Sequence, residues 1–381
     1  MGEFMKTLHK ARIFRAAFVA VCAALCLNCA ALYLSCTQKT QKQNKNQTVR
    51  ERTITDILGR TVTIPARVER IAAINGAARM LTYARAVDKL VGVTDMDKKG
   101  AAGMPYSYIN KEKFQTLASV GKGGSNDTAY IEKIAELSPD LIFAFTNNID
   151  AVNDVQNKTH IPTVALYKTS MFSDDFFETL LLIGSIMGTQ TECKKTVDTI
   201  KNWQRDLNDR TKDIPDAAKP SVYAGAVSFR GGHGIEGTCG AYPPFTAVNA
   251  KNVVDSTGKT GEMLIDREKI TEWDPDIIFL NPSNMNLVNE DYKKNKNFYE
   301  NLSAVKNGRI YSQVSYNYNW TNVEIAIADA YYAGCIIYPE RFVDIDFNEK
   351  AEEIFKTMLG QTYLEVLDNA GIGFGPVIIG K

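Results

Sequence analysis

Two stretches of this chain carry the same order of polar and apolar positions. Glu132-Lys133-Ile134-Ala135-Glu136-Leu137-Ser138-Pro139-Asp140-Leu141-Ile142-Phe143 recurs as Glu268-Lys269-Ile270-Thr271-Glu272-Trp273-Asp274-Pro275-Asp276-Ile277-Ile278-Phe279, with eight of twelve positions identical. In each copy a short helix turns one isoleucine, Ile134 or Ile270, inward. The proline that follows disfavours helix in the residue before it and so ends the element. The unbroken apolar triplet beyond reads as a strand buried on both faces. A repeat of this kind predicts two lobes of like α/β construction.

Other segments extend that plan. Thr53–Ile64, around Leu58-Gly59-Arg60, reads as a hairpin. Arg70–Ile74 and Leu90–Val93 read as strands, with Asn75-Gly76 turning into a helix near 77–86, and Thr163–Leu166 closes the first lobe. Ser221–Ala226 opens the second. Strand and helix alternate, which favours parallel sheets. Between the lobes, Asp174–Lys212 is the longest proline-free stretch with helical spacing: Phe177, Leu180, Ile183 and Ile186, then Val197, Ile200, Trp203 and Leu207. It predicts a stiff strut, with Gly184 and Gly188 as points of close packing or a break. The expected fold is α/β, two Rossmann-like lobes joined by one long spanning helix. Its boundaries are 53–170 for the N-terminal lobe, 171–215 for the linking helix and 216–381 for the C-terminal lobe.

Composition alters the picture at the N-terminus. The 381 residues hold 44 Lys+Arg against 44 Asp+Glu, and this balance removes the basic excess a nucleic-acid binder needs. The balance is uneven along the chain: Lys6, Lys10, Arg12 and Arg15 face only Glu3 in residues 1–35. The apolar run Ala16–Leu34 follows them, as in an export signal. Its length would also allow an uncleaved membrane anchor. Leu32-Tyr33-Leu34-Ser35-Cys36 resembles a bacterial lipobox, which makes residues 1–35 a signal peptide, Cys36 the lipidated residue and 36–52 a polar tether. Of seven cysteines only Cys193, Cys239 and Cys335 lie in the body, without CxxC spacing, so neither a zinc site nor a disulfide framework is indicated.

With this leader, two lobes, one strut and an ExxxxxxPD in each lobe, the chain resembles the substrate-binding lipoproteins of iron-siderophore, haem and cobalamin ABC transporters. Asp56–Pro65, Asn252-Val253-Val254 and Tyr338-Pro339-Glu340-Arg341-Phe342 support this in order along residues 53–381. The resemblance implies a class III periplasmic-binding-protein fold, no enzymatic activity and no resident cofactor. It also implies a ligand cleft between the lobes, a permease and its ATPase as partners, a lipid anchor in the membrane facing the periplasm or exterior, and a monomer. On it, Glu132 and Glu268 are the carboxylates that dock onto the permease.

Candidate cleft residues follow from loops after strand ends. Ser228–Thr238 concentrates Arg230, for an anionic ligand, and His233, with Tyr242 just beyond. Gly232-x-Gly234-x-x-Gly237 matches a dinucleotide fingerprint, but Pro243-Pro244 follows where an apolar helix should start, so that reading is rejected. Tyr106 and Tyr108 in the first lobe, and Tyr318 and Trp320 in the second, are aromatics interleaved with polar residues, suited to a flat ligand. Asn75 and Arg79 sit at the first strand-to-helix turn, and Lys122–Asn126 is a loop at the rim. With only His160 and His233 in the body, a multi-histidine cage for a bare metal ion is disfavoured. A metal chelate, a ferric siderophore first, is the favoured ligand; haem, a corrinoid or an oxyanion stay open. The rival class, a chelate-processing surface enzyme, lacks GxSxG, HExxH and P-loop motifs.

Overall fold

The structure is a computed structural model that describes residues 50–124, 127–167 and 171–380. The leader, Cys36 and most of the tether lie outside the described residues, as do Ser125 and Asn126 of the rim loop. No helix among the described residues is long and apolar enough to cross a membrane.

The N-terminal lobe opens with the expected hairpin, β1 (Glu51–Thr55) paired antiparallel to β2 (Thr61–Pro65). Asp56 fixes its turn by accepting the backbone N–H groups of Leu58 and Arg60 and pairing with the Arg60 guanidinium at 3.0 Å. There follow β3 (Ile71–Ile74), α1 (Ala77–Tyr83), β4 (Leu90–Thr94), α2 (Pro105–Ile109), β5 (Ala118–Gly121), α3 (Ile131–Leu137), β6 (Leu141–Phe145), α4 (Ile149–Thr159) and β7 (Thr163–Leu166). Five of these strands form one parallel sheet in the order β5-β4-β3-β6-β7. β3, β6 and β7 are buried at every position, as an apolar run in a parallel sheet covered on both faces must be.

The strut is α6 (Gln190–Thr211), preceded by a separate helix α5 (Asp174–Met187). The break falls at Gly188, which caps α5 at φ 79°, a backbone shape that glycine adopts without a Cβ penalty. Ser173 starts α5 by accepting the Phe176 N–H. α6 alone spans about 33 Å at 1.5 Å per residue, and buries Val197, Ile200, Trp203 and Leu207 along one face.

The C-terminal lobe contains β8 (Ser221–Gly225), β9 (Gly237–Gly240), β10 (Lys251–Asn252), β11 (Gly261–Leu264), α7 (Arg267–Trp273), β12 (Ile277–Leu280), α8 (Met285–Lys294) and β13 (Ile310–Ser312). A parallel sheet runs β10-β8-β12-β13, and β9 with β11 makes a separate antiparallel pair. The longest helices of this lobe, α9 (Val323–Ile337) and α10 (Phe347–Leu359), come after the sheet. α9 is buried over nearly its whole circumference. Past it the chain returns to the first lobe: Arg85 donates to the carbonyls of Lys356, Thr357 and Met358, and Tyr363 Oη donates to Ala102 O at 2.8 Å. The last helices of the segment 216–381 thus lie partly on the N-terminal lobe. Residues 51–381 form one compact unit with a hydrophobic core common to both lobes.

The repeat has a physical purpose in each lobe. Ser138 and Asp274 end α3 and α7 in the left-handed region, at φ 47° and 39°, and Ile134 and Ile270 are fully buried. The aspartate after each proline then ties the repeat strand to its lobe's first strand. Asp140 Oδ2 accepts the N–H groups of Glu69 and Arg70 at 2.8 and 2.9 Å, just ahead of β3. Asp276 Oδ2 accepts the N–H and hydroxyl of Ser221, the first residue of β8, at 2.7 and 2.8 Å. β6 pairs with β3 and β12 with β8, so the same clamp sets the same register twice.

Candidate functional site

Both sheets point the C-terminal ends of their strands at one cavity of about 740 Å³ between the lobes. Met96, Gly124 and Met171, beyond β4, β5 and β7, line it from the first lobe. Ser228–Gly231 after β8, Ser283 after β12 and Val314–Thr321 after β13 line it from the second. This is where an open α/β sheet presents its loops to a ligand.

Of the sequence-derived candidates, Arg230, Tyr318 and Trp320 stand in the cavity wall. Arg230 is exposed, in a left-handed backbone at φ 52°, and makes no ion pair among the described residues. Glu262 is the other charged side chain in the wall. Trp320 is also held at positive φ, 70°, which costs a bulky residue energy and marks a loop fixed by its surroundings. Opposite it is Gly76 at φ 89°, a backbone shape that favours glycine, where a Cβ would crowd the Trp320 ring at 3.2 Å.

The other candidates are placed differently. Arg79 is 1% exposed and does not reach the cavity. Helix α1 is buried on every face, so its arginine has no solvent side. The guanidinium instead lies 4.5 Å over the Tyr106 ring, donates to Asn322 Oδ1 at 3.1 Å and also donates to the Asn319 carbonyl. Tyr106 is fully buried too: its hydroxyl donates to Asp97 at 2.6 Å and accepts from Asn319 at 2.9 Å. Tyr83 donates to Glu324 nearby. Burial pushes the Asp97 and Glu324 carboxyls up, against the opposing hydrogen bonds from Tyr106 and Tyr83. These groups brace the 319–324 segment against the first lobe; they do not offer a polar surface to the cleft. Tyr108 is displaced from the cavity and meets Tyr363 edge-on at 5.7 Å.

Tyr242 is buried beneath Tyr316, with ring centroids 5.7 Å apart, and burial holds both phenols well above their usual pKa. His233 braces its own loop: Nε2 donates to Phe229 O at 2.8 Å, and the ring lies 4.1 Å from the Phe229 ring. Asn75 donates to Asp127, whose other oxygen accepts the Gly123 N–H, so it steadies the rim loop. Residues 76–315 match the family described as periplasmic binding protein. The chain belongs to this family. It is 24% identical over 277 residues to a Bacillus subtilis protein named as an uncharacterized ABC transporter substrate-binding lipoprotein, YvrC, covering 72% of this chain and 82% of that one. It is 24% identical over 312 residues to the Bacillus subtilis Fe(3+)-citrate-binding protein YfmC, covering 79% and 90%. Its fold matches that of the Haemophilus influenzae molybdate-binding protein MolA bound to molybdate with a TM-score of 0.64 at 20% identity, covering 82% of this chain and 99% of that one.

The family is one of binding proteins, and the relatives above are named for binding rather than for catalysis. The chain's two repeat copies start with Glu132 and Glu268, both exposed in the first turn of their helices. The neighbouring lysines are engaged elsewhere, Lys133 with Glu136 and Lys269 with Glu272, and neither Glu132 nor Glu268 is in an ion pair among the described residues. Ser228, Phe229 and Tyr316 also stand in the wall, within the loop and the aromatic run that carry Arg230, Tyr318 and Trp320, whereas Met96, Met171 and Glu262 have no signal in the sequence.

Proposed function

We propose that this periplasmic binding protein captures a ferric chelate, a siderophore first, and hands it to the permease and ATPase of an ABC importer. The observation that carries the reading is the 740 Å³ cavity walled by Phe229, Tyr316, Tyr318 and Trp320, with Arg230 at its edge. Aromatic faces cover the apolar surface of a chelate, and one guanidinium meets its residual negative charge. A tetrahedral oxyanion, the ligand in the MolA structure, would leave most of this volume unfilled. The iron-citrate ligand named for YfmC is the nearer chemical precedent.

In this reading residues 1–35 are removed, Cys36 is lipidated, 36–52 tether a monomer to the membrane, and the lobes 53–170 and 216–381 work outside it. Glu132 and Glu268 dock the two lobes onto basic pockets of the permease. Exposed ion pairs are each worth about 0–1 kcal/mol, so this pair sets orientation and association rate more than affinity. The test is to incubate purified protein lacking residues 1–35 with cell extract and examine it by native mass spectrometry and absorbance. A stoichiometric coloured ferric complex is expected. Conversion of the chelate, or indifference to every ferric chelate offered, would sink the proposal.

A further inference from the structure

Beneath the aromatic wall, the large cavity deepens into a notch of about 10 Å³ at the ends of β8, β12 and β13. That volume holds one water-sized atom and no more. The notch shares Ser228, Ser315, Tyr316 and Asn317 with the cavity above it, and adds Asn281, Gln313 and Tyr242.

The polarity of its Ser228 hydroxyl is fixed by two neighbours. Asn281 uses Oδ1 to accept the Ser283 N–H at 3.0 Å, so the Nδ2 it turns to Ser228 Oγ at 3.1 Å is a donor. Asn284 donates Nδ2 to the Ala226 carbonyl and to Ser228 Oγ, both at 2.8 Å, and a carbonyl can only accept. Ser228 Oγ therefore receives two hydrogen bonds, which fill its acceptor sites and leave its own proton to be donated. No acceptor for that proton stands among the described residues. The second observation is Gln313. It is 3% exposed, and neither its amide nitrogen nor its amide oxygen makes a hydrogen bond among the described residues, so a buried N–H donor stands ready for an incoming oxygen.

We infer that this notch is an anchoring subsite for one acceptor oxygen that projects from the chelate outside the metal's own coordination shell, received by the Ser228 hydroxyl. The inference rests on reading the cleft as a chelate site and adds the ligand class: chelates with a free carboxylate or hydroxyl oxygen, over those whose every oxygen is bound to the metal. Asn281 and Asn284 are positioning residues, since they act only through Ser228. Tyr242 and Tyr316 stay protonated by burial, so no phenolate repels the incoming oxygen.

Two probes separate the classes. Ferric citrate carries oxygens not bound to iron, whereas in ferric tris(acetohydroxamate) every oxygen is on the metal. Both are titrated into wild type, Ser228→Ala and Ser228→Thr by tryptophan fluorescence, with thermal melting as a check on folding. Wild type should bind ferric citrate, Ser228→Ala should bind it about tenfold more weakly, and Ser228→Thr, which keeps the hydroxyl, should stay within twofold. All three should bind ferric tris(acetohydroxamate) alike. Equal citrate affinity in Ser228→Ala, or an equal loss for both chelates, overturns the subsite and leaves the chelate-binding reading standing. So does a wild type that binds only the acetohydroxamate. A wild type that binds neither overturns both.

Discussion

The two walls of the cleft come from lobes of the same construction, yet they differ in what they show a ligand. The first lobe presents Met96, Gly103, Gly124 and Met171; the second presents Ser228, Phe229, Arg230, and the run Ser315–Thr321. The first lobe is not short of polar groups. Arg79, Tyr83, Asp97 and Tyr106 sit just behind its wall, but all are buried in contacts that hold the 319–324 segment of the other lobe. One lobe spends its polar groups on positioning a loop, and the other lets that loop face the ligand. Recognition is then expected to lie mainly on the second lobe, with the first as a smooth apolar cover.

The largest effect should come from removing the brace. Arg79→Ala removes two buried hydrogen bonds and the contact with the Tyr106 ring, leaves the acceptors of Asn319 and Asn322 short of a donor, and should lower stability by about 3 kcal/mol. Equilibrium urea unfolding checks this, and a cost under about 1 kcal/mol would mean that the guanidinium holds nothing. Next, Trp320→Ala should weaken ferric citrate binding about tenfold, close to 1.4 kcal/mol, in calorimetric titration.

Asp329, under the floor of the second wall, offers a pH test. Burial holds its carboxyl well above the usual carboxylate value, while the Val314 N–H bonds to Oδ1 at 3.0 Å. The folded state therefore keeps this proton to higher pH than the unfolded chain does. Stability from this group is present below the unfolded value near 4 and is lost as pH rises through the folded value. Asp329→Asn does not titrate and keeps Oδ1. It should match wild type at pH 4 and gain about 1 kcal/mol by pH 8; thermal melts at both values would show no such divergence if the carboxyl were solvated. The smallest effect is reserved for the apolar cover: Met96→Ala should change ferric citrate affinity by less than threefold. If it costs as much as Trp320→Ala, the contrast between the walls is wrong.

Legibility in the sequence followed the range of the interaction. The EKIxExxPDxIF repeat foretold two helix–strand units because its physics is local: a proline stop and an apolar triplet. The Gly188 break was likewise visible as a glycine in a long helical pattern. In the sequence Arg79 points to the cleft because it follows the first strand-to-helix turn, and Tyr106 because its aromatic run is interleaved with polar residues. What hides them is the packing of residues some 200 positions away, Asn319, Asn322 and Glu324, which no local pattern encodes. Ser228 opens the candidate cleft loop, but its role as a donor is not legible there, because it depends on hydrogen-bond direction set by Asn281 and Asn284. The cluster Asn281-Pro282-Ser283-Asn284 directly after the second repeat strand was the one available hint.

The helix α9 and the return of α10 to the first lobe bear on how the protein is made. The shared core joins Ile71 and Phe143 of one lobe to Val222 and Phe279 of the other through Ile325, Ile327 and Tyr331 of α9. Each lobe also has a smaller core of its own, around Ile134 in one and Ile270 in the other, but the shared core stays open while α9 and α10 are still inside the ribosome. Synthesis thus leaves the core that the lobes share unfinished until α10 has emerged, which would suit the export proposed above, since a chain that folds late can still be threaded.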